Sequence, residues 1–406
     1  MIQLDAIPPV PALLVGLNAA ASLGLLTLLV GLQRVFAVAP RLPVCAEGDP
    51  LPAASLTLVI PAYNEAANIE ACVRHALACE PPCASWQVVV VDDASSDATS
   101  ALAASAAAAS GCPSQRFLLL QAGTRPPNQR WVGKNWACTQ AAERTQSDWI
   151  LFIDADVRLQ PDALRRALVQ AEQDGADLLS LAPRLGCSCL SEWMVQPIMA
   201  SLLGLGFPIQ AANDPSSAVA FAAGPFMLFR RSVYEQIGGH RALAGEVVED
   251  LALARRIKHQ GHRLRYLLGL DVVALNMYAN FDALWEGWTK NWFLGLDANV
   301  PKALGAAAVV VLMFSGPWLL MVAGVLLCWF VPLQLSWWIG LLTLSCSGVF
   351  LQLALRLWSQ TQFQVPLNRW WLMGVGGLIV GAIGPVSVWR TLTGRGWTWK
   401  GRPLAP

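Results

Sequence analysis

Between Ala303 and Trp389 the chain carries only two charged side chains, Arg356 and Arg369, whereas Leu56 to Arg265 is rich in Asp, Glu, Arg and Lys. A bilayer accepts backbone only where its polar groups are paired internally, so a long uncharged run in lipid folds as apolar helix. One such run near the N-terminus, Leu13 to Leu32, offers about 20 residues, enough to cross roughly 30 Å of hydrocarbon. Three more apolar stretches follow, at about 304–330, 335–355 and 370–389. Thirteen of the eighteen Trp lie at or beyond Trp285, and the pairs Trp337/Trp338 and Trp370/Trp371 suit the headgroup belt. The pattern predicts a membrane anchor over 1–40, a soluble domain over 50–275 and an interfacial amphipathic region over 276–302. Transmembrane helices over 303–390 and a basic tail over 391–406 complete it.

A cleaved signal peptide needs a basic leading region, yet the first twelve residues contain only Asp5, and the nearest cations, Arg34 and Arg41, follow the run. The run therefore reads as an anchor, with residues 34 onward in the cytoplasm by the positive-inside rule. Three simple C-terminal spans would then carry the basic tail, Arg390 to Arg402, to the outside, against the same rule. A re-entrant or doubled stretch removes the conflict, with Gly316-Pro317 as the candidate break, and the tail is expected in the cytoplasm. Net charge is +1, which gives no general attraction to nucleic acid. The ten Cys show no CxxC pair and no zinc-type spacing, and read as free thiols.

Within the charged part, apolar runs alternate with helix-like runs. Leu56 to Ile60 stops at Pro61; "VVVV" ends on Asp92-Asp93; "RFLLLQA" follows; "DWILFIDADVRL" is the fourth. Four consecutive Val suit a strand buried on both faces. This β-α-β-α-β-α-β order predicts a doubly wound, mostly parallel, Rossmann-like α/β sheet, with ligands beyond the carboxyl ends of its strands. Three polar clusters fall at those ends: Tyr63-Asn64-Glu65, Asp92-Asp93 and Asp154-Ala155-Asp156. GxGxxG is absent from the first βα turn and GxxxxGK[ST] from the chain, which removes the dinucleotide and P-loop readings.

Two acids at i, i+2 on a strand-end turn can both reach one hard cation, Mg2+ or Mn2+, although a lone DxD is more often a turn. Asp92 or Asp93 suits a base or ribose, and Lys134 in "VGKNWA" supplies a cation near base or phosphate. Asp250 in "EDLALARRIKHQG" reads either as a helix N-cap or as a base.

Together "VIPAYNEAANI", "VVVVDDASSDAT", "GKNWA", "FIDADV" and "EVVEDLALARRIKHQGHRL" resemble the family 2 glycosyltransferases with a GT-A fold. The resemblance implies inverting sugar transfer from a nucleotide-diphosphate sugar. It implies a donor site of Pro61, Tyr63, Glu65, Asp92, Asp93, Lys134 and Asp154, with Asp154 and Asp156 at a divalent metal. The "ED" pair, Glu249 and Asp250, would be catalytic, Asp250 as general base. Processive members carry Gln or Arg, two residues, then Arg-Trp after this motif; here "WTKNW", Trp288 to Trp292, keeps only the final Trp, which favours transfer of a single sugar.

"MYANFDALWEGWTKNWFLGL" reads as an interfacial helix or a core helix, with Trp288 and Trp292 as acceptor or membrane residues. Trp193 to Ala212 is equally open between an interfacial element, part of an acceptor tunnel and a core helix. "GKNWACTQ", the aromatic helix and the tail "GWTWKGR" are similar to the branch that glycosylates apolar isoprenoid lipids, of the carotenoid (myxol-type) or hopanoid-associated kind. The expected acceptor is a lipid hydroxyl, first a carotenoid, with hopanoid, glycerolipid or polyprenyl phosphate as alternatives. A reading of another class, a non-catalytic nucleotide-sugar-binding scaffold, has the intact acid pairs against it.

Overall fold

The computed structural model describes residues 9–45, 51–327 and 335–404. Residues 328–330 of the first C-terminal apolar stretch, and Asp5, lie outside them. In chain order α1 (Pro9–Ala37) leads into β1 (Ser55–Ala62), α2 (Ile69–Leu77), β2 (Ser85–Asp92), α3 (Thr99–Ala109), β3 (Phe117–Gln121), α4 (Gly133–Arg144) and β4 (Trp149–Phe152). There follow β5 (Val157–Leu159), α5 (Ala163–Gln173), β6 (Leu178–Ala182), β7 (Arg184–Leu185), α6 (Leu190–Gly206), α7 (Ile209–Asn213) and β8 (Met227–Arg230). Then come α8 (Arg231–Gln236), α9 (Glu249–His259), β9 (Leu264–Leu268), β10 (Val273–Leu275), α10 (Phe281–Gly295) and α11 (Val300–Val310). The last elements are α12 (Gly316–Leu327), α13 (Leu335–Phe363), α14 (Met373–Thr393), β11 (Thr398–Trp399) and β12 (Arg402–Pro403).

The chain divides into two units: an α/β unit of 38–186 and 207–277, and a helical unit of 1–37, 187–206 and 278–405. In the α/β unit the sheet order is β3-β2-β1-β4-β8-β6-β9. β3, β2, β1 and β4 are parallel, β8 is antiparallel to both β4 and β6, and β9 returns parallel to β6. Both faces are covered, as the Val run demands. Val88 and Val90 pack in one core with α2, α3 and α5, while Val89 and Val91 pack in the other with α4, α8 and α9. Fully burying each such side chain contributes roughly 1.5–3 kcal/mol.

Two strand boundaries differ from expectation. β1 continues through Pro61 to Ala62, pairing Pro61 with Val91 of β2. The predicted fourth strand breaks in two: β4 ends at Phe152, and β5 joins β10 and β7 in a separate small sheet. The acid pair is the turn between the two sheets, which the continuous apolar run concealed.

Among the described residues four helices are long and apolar enough to cross a membrane: Pro11–Ala37, Val300–Leu326, Leu335–Phe363 and Trp370–Thr393. α1 and α13 run parallel. Asn18 donates to Ser345 Oγ at 2.6 Å near their starts, and the Phe36 and Phe363 rings lie 4.9 Å apart at their ends. α12 runs antiparallel to α13, with Gly324 against Leu341 and Gly348 against Pro317. At the expected break the helix does not end; Val311–Ser315 forms a π turn. Pro317 lacks the N–H that would satisfy the Met313 carbonyl. Gln352 Nε2 does so instead, donating to Met313 O at 3.2 Å and Phe314 O at 2.8 Å.

α14 packs antiparallel to α11 and α12 through small residues: Gly374 meets Trp318, Gly377 Phe314 and Ser315, and Gly384 Ala307. A Cβ at any of them would collide, so close backbone approach requires glycine. Its end docks on α10, where Arg390 Nη1 donates to Thr289 Oγ1 at 3.1 Å. The tail follows: Thr398 Oγ1 and Lys400 N donate to the two oxygens of Glu286 at 2.6 and 3.1 Å.

Candidate active site

The carboxyl ends of β1 and β2 turn through matched left-handed residues, Asn64 (φ 50°) and Ala94 (φ 55°). Left-handed backbone is sterically costly for a residue with a Cβ, and it persists here because the two turns interlock. Asn64 N donates to Ser95 Oγ at 3.0 Å, Ser96 N to Asn64 Oδ1 at 2.9 Å, and Glu65 N to Thr99 Oγ1 at 2.8 Å. Pro61, Tyr63 and Glu65 are thus held on the carboxyl edge of the sheet.

Asp92 and Asp93 have different surroundings. Asp92 accepts from Ser95 N, the Ser100 hydroxyl and Gln121 Nε2. Burial pushes its carboxyl up, yet these hydrogen bonds outweigh burial and leave it below its ordinary value. Asp92 is therefore built into the turn. Asp93 instead forms an ion pair with Arg125, a partner the sequence reading did not single out.

One strand over, Lys134 at the start of α4 joins two motifs. Its Nζ lies 2.6 Å from Asp154 Oδ1 and 2.6 Å from Glu249 Oε1. Burial opposes the ammonium, but the two carboxylates raise its pKa well above the ordinary lysine value. Asp156 is the contrast. Its Oδ1 is buried with no hydrogen-bond partner among the described residues, and burial, Asp154 and Glu65 together push its carboxyl well above the ordinary range.

Glu249 opens α9, with Val248 at the N-cap position, so Asp250 sits inside the first turn and does not cap the helix. Its Oδ1 accepts from Leu251 N at 2.7 Å and its Oδ2 from Gly224 N at 3.2 Å. Burial, then the neighbouring Glu249, push its carboxyl up to about 6, with Lys134 pulling the other way. A Cβ on Gly224 would stand 2.9 Å from Asp250 Oδ2, so this glycine admits the carboxylate to its position. The loop before Glu249 is tied to α4 by Asn135. Its Nδ2 donates to the carbonyls of Leu243, Ala244 and Glu246 at 2.6, 3.4 and 2.9 Å.

The fold therefore brings Lys134, Asp154 and Glu249 into direct contact, with Asp156, Asp250 and Glu65 in electrostatic reach. Trp288 and Trp292 belong to the helical unit. Both are buried, with their indole N–H groups on Gln196 Oε1 (3.0 Å) and Ala303 O (3.2 Å). Among the described residues no three His, Cys, Asp or Glu are grouped to hold a metal ion. The unpartnered oxygen of Asp156 beside Asp154 nevertheless fits Mg2+ or Mn2+, which take few protein oxygens and complete their shell with water and phosphate.

A parallel sheet with acids on its carboxyl edge and one antiparallel strand inserted, beside helices long and apolar enough to cross a membrane, defines a GT-A-type architecture. The sequence profile of Glycosyl transferase family 2 matches residues 57–238, and that of Glycosyl transferase family group 2 matches 149–379, more than half of the chain. The chain belongs to the family 2 glycosyltransferases. It resembles their carotenoid branch: a 4,4'-diaponeurosporenoate glycosyltransferase of Staphylococcus aureus (strain MRSA252) is 28% identical over 265 residues. That match covers 64% of this chain and 66% of the relative, just under two thirds of its length. A mannosyltransferase from Pyrobaculum calidifontis, solved in complex with GDP-Man and Mn2+, superposes with a TM-score of 0.55 at 19% identity. It covers 92% of this chain and 98% of that one, and shows the shared fold.

Proposed function

We propose that this chain transfers one sugar, with inversion, from a nucleotide-diphosphate sugar to a hydroxyl of a membrane lipid. The acceptor that the likeness to the S. aureus enzyme supports best is a carotenoid. The carrying observation is the carboxylate of Asp250, pushed up to about 6 and held by Gly224 N. A base tuned toward neutral pH can take the proton of an acceptor hydroxyl as the new bond forms. Lys134 holds Asp154 and Glu249 in register, so donor-side and acceptor-side acids share one cation. Asp93 with Arg125, and Tyr63 and Glu65 on the neighbouring turn, would position the nucleotide. Asp154 and Asp156 would hold a divalent cation, which neutralises charge on a departing diphosphate. Trp288 and Trp292 would fix α10 among the helices on the acceptor side.

The helical unit supports one membrane orientation. α13 returns to the end where α1 finishes, and the tail bonds to α10, which precedes the C-terminal helices. The first turn of α14 lies beside Trp318, itself bonded to Gln352 roughly three turns before α13 ends. In our reading α14 is re-entrant, leaving and rejoining the same face. Arg34, Arg41, Arg390, Arg395, Lys400 and Arg402 then share one side, which the positive-inside rule makes cytoplasmic. Lipid profiling of the host with and without this chain tests the function. Loss of a glycosylated lipid with accumulation of its aglycone supports it, and an unchanged lipid profile overturns it.

A further inference from the structure

The apolar stretch read as 335–355 stops just short of a charge, but α13 runs on to Phe363, so Arg356 lies two turns inside it and is fully buried. Its Nη2 donates to Pro366 O at 2.8 Å, while Nε and Nη1 are buried with no hydrogen-bond partner among the described residues. The Trp193 ring of α6 lies 5.6 Å from this guanidinium and 5.9 Å from that of Arg369. The one carboxylate on α6, Glu192, is engaged elsewhere. One of its oxygens accepts from Ser188 N and Oγ at 2.7 and 2.9 Å, the other from Tyr278 N at 2.9 Å. The Cys187 thiol, also within the electrostatic reach of Arg356, is pushed up by burial to about 11 and stays neutral.

A guanidinium cannot shed its proton, so burial among apolar helices with no counter-ion among the described residues is costly and marks a functional position. The segment over it is bent at both ends by left-handed residues, Gln364 (φ 58°) and Arg369 (φ 60°). These bends set Pro366 O on one nitrogen and Arg369 beside the shared indole, leaving Nε–H and the Nη1–H pair for an acceptor from outside the chain. Guanidinium donors suit planar or tetrahedral oxyanions. The surrounding elements are the apolar α6 and α13, so an anion carried on an apolar chain suits the site better than a free ion.

We propose that Arg356, with Arg369 and the Trp193 ring, binds the acidic group of a lipid, a carboxylate or a phosphate monoester. The acid is on this account a recognition group of the lipid, separate from the hydroxyl that receives the sugar, an inference that rests on the reading of the chain as a lipid-directed glycosyltransferase. The test uses full-length protein in phosphatidylcholine nanodiscs without any sugar donor. It is titrated with a C30 carotenoid mono-acid, its methyl ester, a polyprenyl monophosphate and the free polyprenol, followed by quenching of Trp fluorescence.

The acid is expected to bind at least tenfold more tightly than its ester, or the monophosphate than its alcohol. The pair that discriminates identifies carboxylate or phosphate. Arg356→Gln is expected to abolish the preference and Arg356→Lys to keep part of it. Equal binding within both pairs by the unaltered protein overturns the site, as does a preference that survives Arg356→Gln. If the Gln variant does not fold, the comparison within the unaltered protein decides. Calorimetry with UDP- and GDP-sugars on the same samples reports separately on the glycosyltransferase reading.

Discussion

Lys134 Nζ stands 2.6 Å from Asp154 Oδ1, and the same ammonium reaches Glu249 at 2.6 Å, so one cation ties the turn after β4 to the start of α9. Lys134→Met would leave both carboxylates without it in a half-buried cluster. Loss of a charged hydrogen-bond partner costs about 1–3 kcal/mol. The expected result is a lower Tm and a fall in kcat/KM of at least tenfold, read by thermal denaturation and a donor-turnover assay. Lys134→Arg is expected to recover part of both.

Asp250, as the proposed base, is expected to set the pH profile. Its folded value of about 6 lies above the ordinary carboxylate value of 3.8, and the proton-accepting form is the charged one. Activity should therefore rise with pH through about 6 and level off above it. The stability effect has the opposite sign: a raised carboxyl favours the folded state at low pH, and that contribution is lost as pH climbs through 6. Asp250→Asn should lower kcat by roughly 10²–10⁴-fold and remove the acidic limb, with donor affinity largely kept. A pH series of kcat/KM on both proteins checks this.

Asn135 is expected to act on the same residue from a distance. Its amide holds three carbonyls of the loop that delivers Glu249 and Asp250. Asn135→Leu keeps approximate volume and removes every one of those bonds, leaving buried acceptors unmet at about 1–3 kcal/mol. The measurement is a urea titration beside kcat. Stability and kcat should fall together, with donor KM changing less.

The re-entrant reading of α14 predicts where the tail lies. A single Cys placed at Arg395 should be labelled by a membrane-impermeant maleimide from the same side as a Cys placed at Arg41, in sealed vesicles. Labelling from opposite sides would show that α14 crosses.

How much of this could be read in the sequence follows from how far each contact reaches along the chain. The Val88–Val91 run announced a strand buried on both faces because its neighbours on either side are themselves apolar. The acid pair at 154 and 156 was legible as a cluster, and the break in its strand was not: β5 leaves the main sheet to pair with β10, more than a hundred residues on. Asp92 and Asp93 are adjacent in sequence, yet one is fixed in its own turn and the other meets Arg125. Nothing local separates them.

Asn135 and Gly224 were passed over for the same reason, since their partners lie 108 and 26 residues away. An Asn beside the lysine in "GKNW" was the one available signal. In the helical unit, Gly316-Pro317 was expected to break the stretch, but Gln352 satisfies the freed carbonyl and the helix continues through a π turn. Arg356 looked like the end of a span only because hydropathy falls there, while the helix itself continues.

The most direct test of the account is sugar transfer to lipid by the purified full-length protein. The protein is reconstituted with a hydroxylated carotenoid and given radiolabelled UDP- or GDP-sugar with Mn2+, and label in the organic phase is counted. The account predicts one sugar per lipid molecule, dependence on divalent metal, and loss of the product in Asp250→Asn. Donor binding without any labelled lipid would contradict it.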